Sequence, residues 1–451
     1  MPQYRAPLRD YRFCLTELFD WHEHRNLQGF GDFSEDAVEA VLGGAGKFSE
    51  SVVFPLNRSG DEEGCTYGNG AVRTPEGFKE AYQLYCAGGW PSLACDPAHG
   101  GQGMPHMLNV LVEEMLGSAN LSFSLYPGLT RGAYVALAKF ASPEHQALYL
   151  PRLASGEWTG AMCLTEAHSG SDLGLLRTAA VPTADGGYAI TGTKVFISAG
   201  EHDLTSNIVY LVLARLPDAP KGSRGISLFL VPKFHSDAEG RLGARNQVSC
   251  GAIEHKMGIK GSATCVLNFD GATGWLVGAP HQGLKAMFAM MNAERLAVGV
   301  SGLAVAEASM QNAVAYARQR LQGRAGSQHP DLPADPIIAH ADVRRMLMTQ
   351  RALVEGGRAL AVWVARSLDR SERAADPASR QEADDFVSLM TPVVKAFLTD
   401  MGSEVANLGM QVLGGHGYIR DNGQEQLVRD VRITQIYEGT NGIQALDLAG
   451  R

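Results

Sequence analysis

No apolar stretch in the 451-residue chain approaches the ~18 residues that a membrane-spanning helix requires, and runs such as Ile208–Ala214 fall far short. The N-terminal segment MPQYRAPLRDYRF has no apolar core and carries Asp10 early, so it does not read as a signal peptide. Cysteine is sparse: Cys14, Cys65, Cys86, Cys95, Cys163, Cys250 and Cys265 are odd in number, scattered and without a CxxC pair. That pattern argues against a disulfide framework or a zinc site and suits a reducing compartment. Positive charge is not concentrated anywhere: 39 Lys and Arg face 48 Asp and Glu, for a formal net charge of −9. A nucleic-acid partner would call for a basic domain, so none is expected. No period of 20–50 residues repeats, which excludes a solenoid. The expectation is a soluble, cytoplasmic protein with no membrane insertion and no metal.

What is present is an ordinary globular balance, 45% hydrophobic and 19% charged, long enough for two to four domains. The 52 glycines point to tight turns and close backbone approaches. Up to residue 157 the spacing is helical. Ser34 opens a capped helix, and Ser51–Leu56, Pro75–Ala87, Met107–Ala119, Ala133–Phe140 and His145–Ala154 continue the pattern, with breaks expected at Gly43-Gly44, Gly88-Gly89 and Gly100–Gly103. From 158 to 280 short β-branched runs replace it: Gly160–Leu164, Arg177–Pro182, Tyr188–Thr191, Lys194–Ser198, Asn207–Ala214, Ile226–Pro232 and Thr264–Phe269, with Asp185-Gly186-Gly187 as a hairpin turn. With no long helices between them, these predict a mostly antiparallel barrel or sandwich. Beyond 281, Leu284–Ala317, Ile338–Leu368 and Asp385–Leu413 predict long helices of a four-helix bundle, with polar loops at Gly323–Pro336 and Asp369–Asp384 and Pro392 near the start of the last helix. The organisation is thus an N-terminal extension (1–34), a helical domain (35–157), a β-domain (158–280) and a helical bundle (281–451).

Five segments could carry chemistry. Met162-Cys163-Leu164-Thr165-Glu166-Ala167-His168-Ser169-Gly170-Ser171-Asp172 is a strand running into a loop of hydroxyls and glycine, suited either to binding a polar ring or to making a plain turn. Phe196 and Ser198, two apart on a strand, could stack on and bond to a flat cofactor, or be a core aromatic and an edge serine. Asn292-Ala293-Glu294-Arg295 heads a long helix; its arginine could meet a phosphate or carboxylate, or belong to a solvated charge pair. Gln411–Tyr418 ends a helix in Gly414-Gly415, a simple cap or a close approach to a ligand. Glu438, after the apolar Ile436 and before Gly439-Thr440-Asn441, could be a base of raised pKa or a helix cap.

In this order and spacing the segments resemble the acyl-CoA dehydrogenase family from about residue 35 to the chain end, most strongly in CLTEAHSGSD, QVLGGHGY and IYEGTNGIQ. The first residues through Trp21 and Arg320–Arg324 resemble a subgroup that contains 3-methylmercaptopropionyl-CoA dehydrogenases of dimethylsulfoniopropionate catabolism. The resemblance implies the same three-domain fold, FAD as cofactor, and α,β-dehydrogenation of an acyl-CoA, either 3-methylmercaptopropionyl-CoA or a short or medium fatty acyl-CoA. It also implies an electron-transfer flavoprotein as partner and a homodimer or homotetramer. Glu438 takes the place of the base. Met162, Leu164, Thr165, Gly170, Ser171, Phe196, Ser198, Thr440 and Asn441 match flavin positions, and Arg320, Gln411, Gly414 and Gly415 match contacts to the FAD of a neighbouring subunit. Ser171, Asn292, Arg295, Tyr437 and Gly439 match substrate positions, Asn292 and Arg295 toward the CoA end. Ala167-His168 and Gly442 depart from the usual residues. The subgroup's pattern continues beyond the active-site motif, so a chain ending at Arg451 is expected to be a short member or a piece of one. A flavin-binding, DNA-associated stress protein of the same fold would need a basic C-terminal region. A flavin oxidase of that fold would carry aspartate in place of Glu438.

Overall fold

The computed structural model describes residues 3–31, 33–326 and 331–450. In the first domain, Ser34 accepts a hydrogen bond from the Ala37 N–H at 3.2 Å and so caps Glu35–Phe48. The expected break at Gly43-Gly44 does not occur, because both glycines lie inside this helix. A Cβ on Gly44 would stand 3.2 Å from the Trp90 ring, so that glycine serves close packing. Gly88 and Gly89 do end the Phe78–Ala87 helix, Gly89 at φ +74°. His106–Ala119 and Leu121–Phe140 pack in sequence around Asn120, whose side chain caps the second by accepting the Phe123 N–H. Pro143–Ser155 completes the layer. The N-terminal extension is tied to the rest: Tyr11, Leu15 and Trp21 are buried, and Arg5 exchanges hydrogen bonds through its backbone with the Gln311 side chain.

The β-domain is a closed ring. Thr264–Val277 pairs with Tyr188–Ser198, which pairs with Ala179–Pro182, which touches Asn207–Arg215; this strand pairs with Ile226–Pro232, which returns to Thr264–Val277. Val248–Ile253 and Trp158–Cys163 flank it. Pairing is mostly antiparallel as expected, but Trp158–Cys163 runs parallel to Asn207–Arg215 over six residue pairs. The crossover between these two strands takes in the loop at 164–178 and another strand pair, which leaves room for a parallel return. The two short runs around Gly192 form one strand, and the final strand extends eight residues past Phe269 to Val277.

In the third domain Gly283–Gln319, Ala341–Arg373 and Pro377–Leu413 are the long helices, and the shorter Gln424–Arg432 and Asn441–Gly450 pack against them in the fourth position. The polar loop expected at 369–384 shrinks to a few residues, because Asp376 caps a helix that starts at Pro377. Pro392 therefore lies deep inside this helix, not near its start. Its neighbours Thr391, Val394, Lys395 and Leu398 are buried, and tertiary packing carries the helix through a residue that alone would cost ~3 kcal/mol. No described helix is long and apolar enough to cross a membrane.

Candidate active site

Glu438 sits on the short connection between the Ile433–Gln435 turn and the Asn441–Gly450 helix, with its backbone in the left-handed region at φ +55°. A non-glycine residue held there stores strain, and such strain gathers at functional positions. The connection is clamped from both sides. Gln444 donates to the carbonyls of Glu438 and Gly439 at 3.1 and 2.9 Å. Asn441 turns its side chain into the bundle, donating to Asp400 at 2.7 Å and accepting from Lys395 Nζ at 2.9 Å. Gly439, at φ +82°, has no room for a side chain, since a Cβ would stand 2.8 Å from Gln444 Nε2. Among the described residues the Glu438 carboxylate has no hydrogen-bond or ion-pair partner, and neither does its backbone N–H.

Electrostatics prepare this carboxylate. Burial pushes Glu438 up to about 7, while the nearby Arg295 and Lys395 cations pull it back. Arg295 is itself buried, its guanidinium 2.8 Å from Asp447 and 3.8 Å from the place a Gly439 Cβ would take. Lys395 is fully buried, and burial lowers it to about 8 against the pull of Glu438. Glu294, one residue before Arg295, is only 6% exposed and has no hydrogen-bond partner among the described residues. Burial and then repulsion from Glu438 raise it to about 8. The Glu438 charge thus disfavours ionisation of Glu294. The Tyr437 hydroxyl beside them is buried without a partner.

A second cluster lies on the β-ring. The Lys194 ammonium, fully buried, donates to Glu166 Oε1 and to the Leu164 carbonyl, both at 2.9 Å. Burial would raise Glu166, but Lys194 and bonds from Thr178 and the Arg177 N–H hold it near about 2. This ion pair pins the loop after Met162, and Val195 N–H then donates to the Thr165 carbonyl at 2.9 Å. Thr165 is thus fixed beside Phe196. A bulge displaces Phe196 from regular pairing, because Cys265 faces Ile197 while Leu267 faces Lys194. At φ +60° its ring turns outward, 64% exposed, while Lys194 stays buried. The simple alternation expected to align Phe196 with Ser198 is therefore broken at the bulge. Ser198 is half-buried, Met162 half-buried, Leu164 buried, and Gly170 and Ser171 exposed on the loop.

The third group lies at one end of the bundle. Arg320 caps Gly283–Gln319, and Tyr316 one turn earlier hydrogen-bonds His416 at 2.9 Å. That contact brings Arg320 to the end of the bundle that carries the exposed Gln411, Gly414 and Gly415. Asn292 lies 3.5 Å from Arg295, so both sit by the Glu438 connection; Thr440 is half-buried on it. The sequence reading missed Glu294 and Lys395 as site residues. Glu294 was visible within its segment, but only Arg295 was weighed for a ligand there, with a solvated Glu294–Arg295 pair as the alternative, while Lys395 offered no local pattern at all.

Models of the acyl-CoA dehydrogenase N-terminal, middle and C-terminal domains match residues 39–157, 161–272 and 281–451. A 3-methylmercaptopropionyl-CoA dehydrogenase of Ruegeria pomeroyi is 47% identical over 99% of this chain and 76% of that protein. A butyryl-CoA dehydrogenase of Syntrophomonas wolfei is 38% identical over 99% of this chain and 75% of that protein. Among solved structures, butyryl-CoA dehydrogenase of Megasphaera elsdenii superposes with a TM-score of 0.76 at 23% identity, covering 93% of this chain and 99% of that one. Caenorhabditis elegans ACDH-11, solved with C11-CoA, reaches 0.81 at 23% identity over 100% of this chain and 74% of that one.

Proposed function

The chain belongs to the acyl-CoA dehydrogenase family of oxidoreductases, and we propose that it is an FAD-dependent enzyme that introduces the α,β double bond into a short acyl-CoA, with 3-methylmercaptopropionyl-CoA and butyryl-CoA as the leading substrates. The observation that carries the reading is Glu438: a strained, half-buried carboxylate without a partner, raised to about 7 and flanked by two cations. A base that removes a weakly acidic α-proton works best with a pKa near the operating pH. The free N–H of Glu438 offers a donor for the thioester oxygen as charge develops on it. Arg295 and Lys395 keep part of the carboxylate population ionised before the proton arrives.

Members of the family are flavoproteins, and the residues present suit FAD. The exposed, bulge-held Phe196 ring and the Thr165 backbone pinned beside it form a flat wall with polar edges. The family resemblance assigns Met162, Leu164 and Ser198 to the same wall, and Gly170 and Ser171 to the loop at its rim. Arg320, Gln411, Gly414 and Gly415 form an open, cationic and backbone-rich surface suited to the pyrophosphate of a cofactor held by a second subunit. Bound FAD would supply the hydride acceptor for the β-hydrogen. Delivery of electrons to an electron-transfer flavoprotein, like the homo-oligomeric state, rests on the family relationship. Titrating the yellow protein anaerobically with a panel of acyl-CoAs tests the reading. Short acyl-CoAs should bleach the flavin band at near-stoichiometric ratio; a flavin that no acyl-CoA reduces would refute it.

A further inference from the structure

The Gly283–Gln319 and Ala341–Arg373 helices leave a groove between them with about 700 Å³ of room, and the first described residues of the chain form its third side. Arg5 is held there through its backbone, which donates to Gln311 Oε1 at 3.0 Å and accepts from Gln311 Nε2 at 2.7 Å. Met310 and Val314, four apart on the first helix, and Leu347 and Met348 on the second give the groove an apolar lining. Leu347 is buried, but Met348 is 73% exposed, a large apolar side chain with little covering it. Four arginines line the same groove: Arg5, Arg318, Arg344 and Arg351. Arg344 comes three residues before Leu347 and Arg351 three after Met348, so they flank the apolar pair on one helix face. Arg351 pairs with Glu355 at 2.5 Å, whereas Arg5, Arg318 and Arg344 have no ion-pair partner among the described residues. The two acids of the lining, Asp10 and Glu307, face Arg358 at 3.8 and 2.6 Å and leave the rim cationic.

We propose that this groove docks an acidic amphipathic helix of a partner protein. The inference is independent of the catalytic reading above. From Glu307 to Arg318 the lining runs ~16 Å along the first helix, at 1.5 Å per residue, which is the length of about three helical turns. A third helix laid there buries its apolar stripe on Val314, Leu347 and Met348, the way amphipathic helices fill hydrophobic grooves. Two methionines in the lining suit such a surface, because their flexible side chains repack around a partner. The arginines then decide the sign. Residues flanking the partner's apolar stripe must be Asp or Glu, and a helix flanked by Lys is repelled. An alkyl anion fits less well, since small ligands are enclosed over most of their surface and Met348 lies open. A bilayer fits less well too, since the buried Leu347 lies between two helices and not on a protruding face.

The test is fluorescence anisotropy of the full chain, as purified, with three labelled helical peptides of about 18 residues. The first carries leucines at i, i+3, i+4 and i+7 with glutamates beside them. The second has the same composition with the leucine spacing scrambled, and the third has lysine for each glutamate. The first should bind at least tenfold more tightly than either of the others. Arg5→Glu with Arg344→Glu should weaken it by tenfold or more, whereas Arg5→Lys with Arg344→Lys, which keeps the charge, should stay within about threefold of the wild type. Neither arginine has an ion pair to lose, and a glutamate in the first turn of Ala341–Arg373 suits a helix N-terminus, so the reversal should leave the fold intact. Should a thermal melt show otherwise, Met348→Ser at its exposed position decides the matter: it should weaken the first peptide by threefold or more and leave the scrambled one unmoved. Equal binding of the three peptides, or a reversal without effect, overturns the inference. So does a reversal that breaks up the oligomer in light scattering, which would give the groove to a second copy of this chain. Capture of the wild type, but not of the reversal, by phosphatidylglycerol vesicles without binding of the acidic peptide would give it to a membrane and overturns the inference as well.

Discussion

At Glu438 the same burial that prepares a base works against the stability of the fold. Its folded pKa of about 7 and that of Glu294, about 8, both lie above the ordinary value of 4.5. Between those values the folded chain holds protons that the unfolded chain has released, so stability is lost as pH rises through this window. Glu438→Gln removes one of these penalties and is expected to be more stable than the wild type at pH 8, on the order of 1–3 kcal/mol, with the difference vanishing near pH 4. Thermal melts at the two pH values measure this; equal destabilisation at both would assign Glu438 a capping role instead. The acid limb of kcat/KM should fall near pH 7, because only the ionised carboxylate accepts the α-proton. Lys395→Met removes a cation that favours that ionised form, so the limb should move to higher pH. A limb that stays in place, or moves down, would separate Lys395 from the base.

The two longest helices of the bundle meet where each has a glycine. A Cβ on Gly302 would collide with the Leu398 carbonyl, and one on Gly402 would stand 2.5 Å from the Gly302 carbonyl. These contacts are with backbone, which cannot turn aside. Gly402→Val should therefore force Gly283–Gln319 and Pro377–Leu413 apart and lower stability by roughly 1–3 kcal/mol, read from denaturant unfolding. A loss below about 0.5 kcal/mol would mean that the crossing relaxes freely. The elements were legible where a local signal existed: Ser34 marks a helix start, and Ile226–Pro232 is found with its expected bounds. They were illegible where distant contacts decide. Gly43 and Gly44 read as a break because glycine is a poor helix former, yet Trp90 fills the space Gly44 leaves open. Asp376-Pro377 was a readable start signal, masked by the polar run that follows it. At the site, the neighbours of Glu438 left it either a base or a helix cap, and the family resemblance of IYEGTNGIQ marked it as the base. Glu294 and Lys395 did not stand out, because what distinguishes them is the charge each faces across the bundle.

At the scale of the whole molecule, the wall at Thr165 and Phe196, the proposed base Glu438 and the cavity lined by Glu294 come from three domains that pack on one another, while Arg320 and Gly414-Gly415 present open surface at the end of the bundle. A cofactor site completed by a second copy, as proposed, would account for that surface. Light scattering should find a dimer or tetramer that carries FAD, and Arg320→Ala should lower FAD occupancy at limiting cofactor by tenfold or more without unfolding the β-domain. A monomer with full FAD content would contradict this. The central claim, that Glu438 removes the α-proton, is tested most directly by stopped-flow flavin reduction of Glu438→Gln with a short acyl-CoA that bleaches the wild type. The variant keeps the shape of the side chain but cannot accept the proton, and reduction should slow by ~10²–10⁴-fold while FAD remains bound; reduction at a near-normal rate would contradict it.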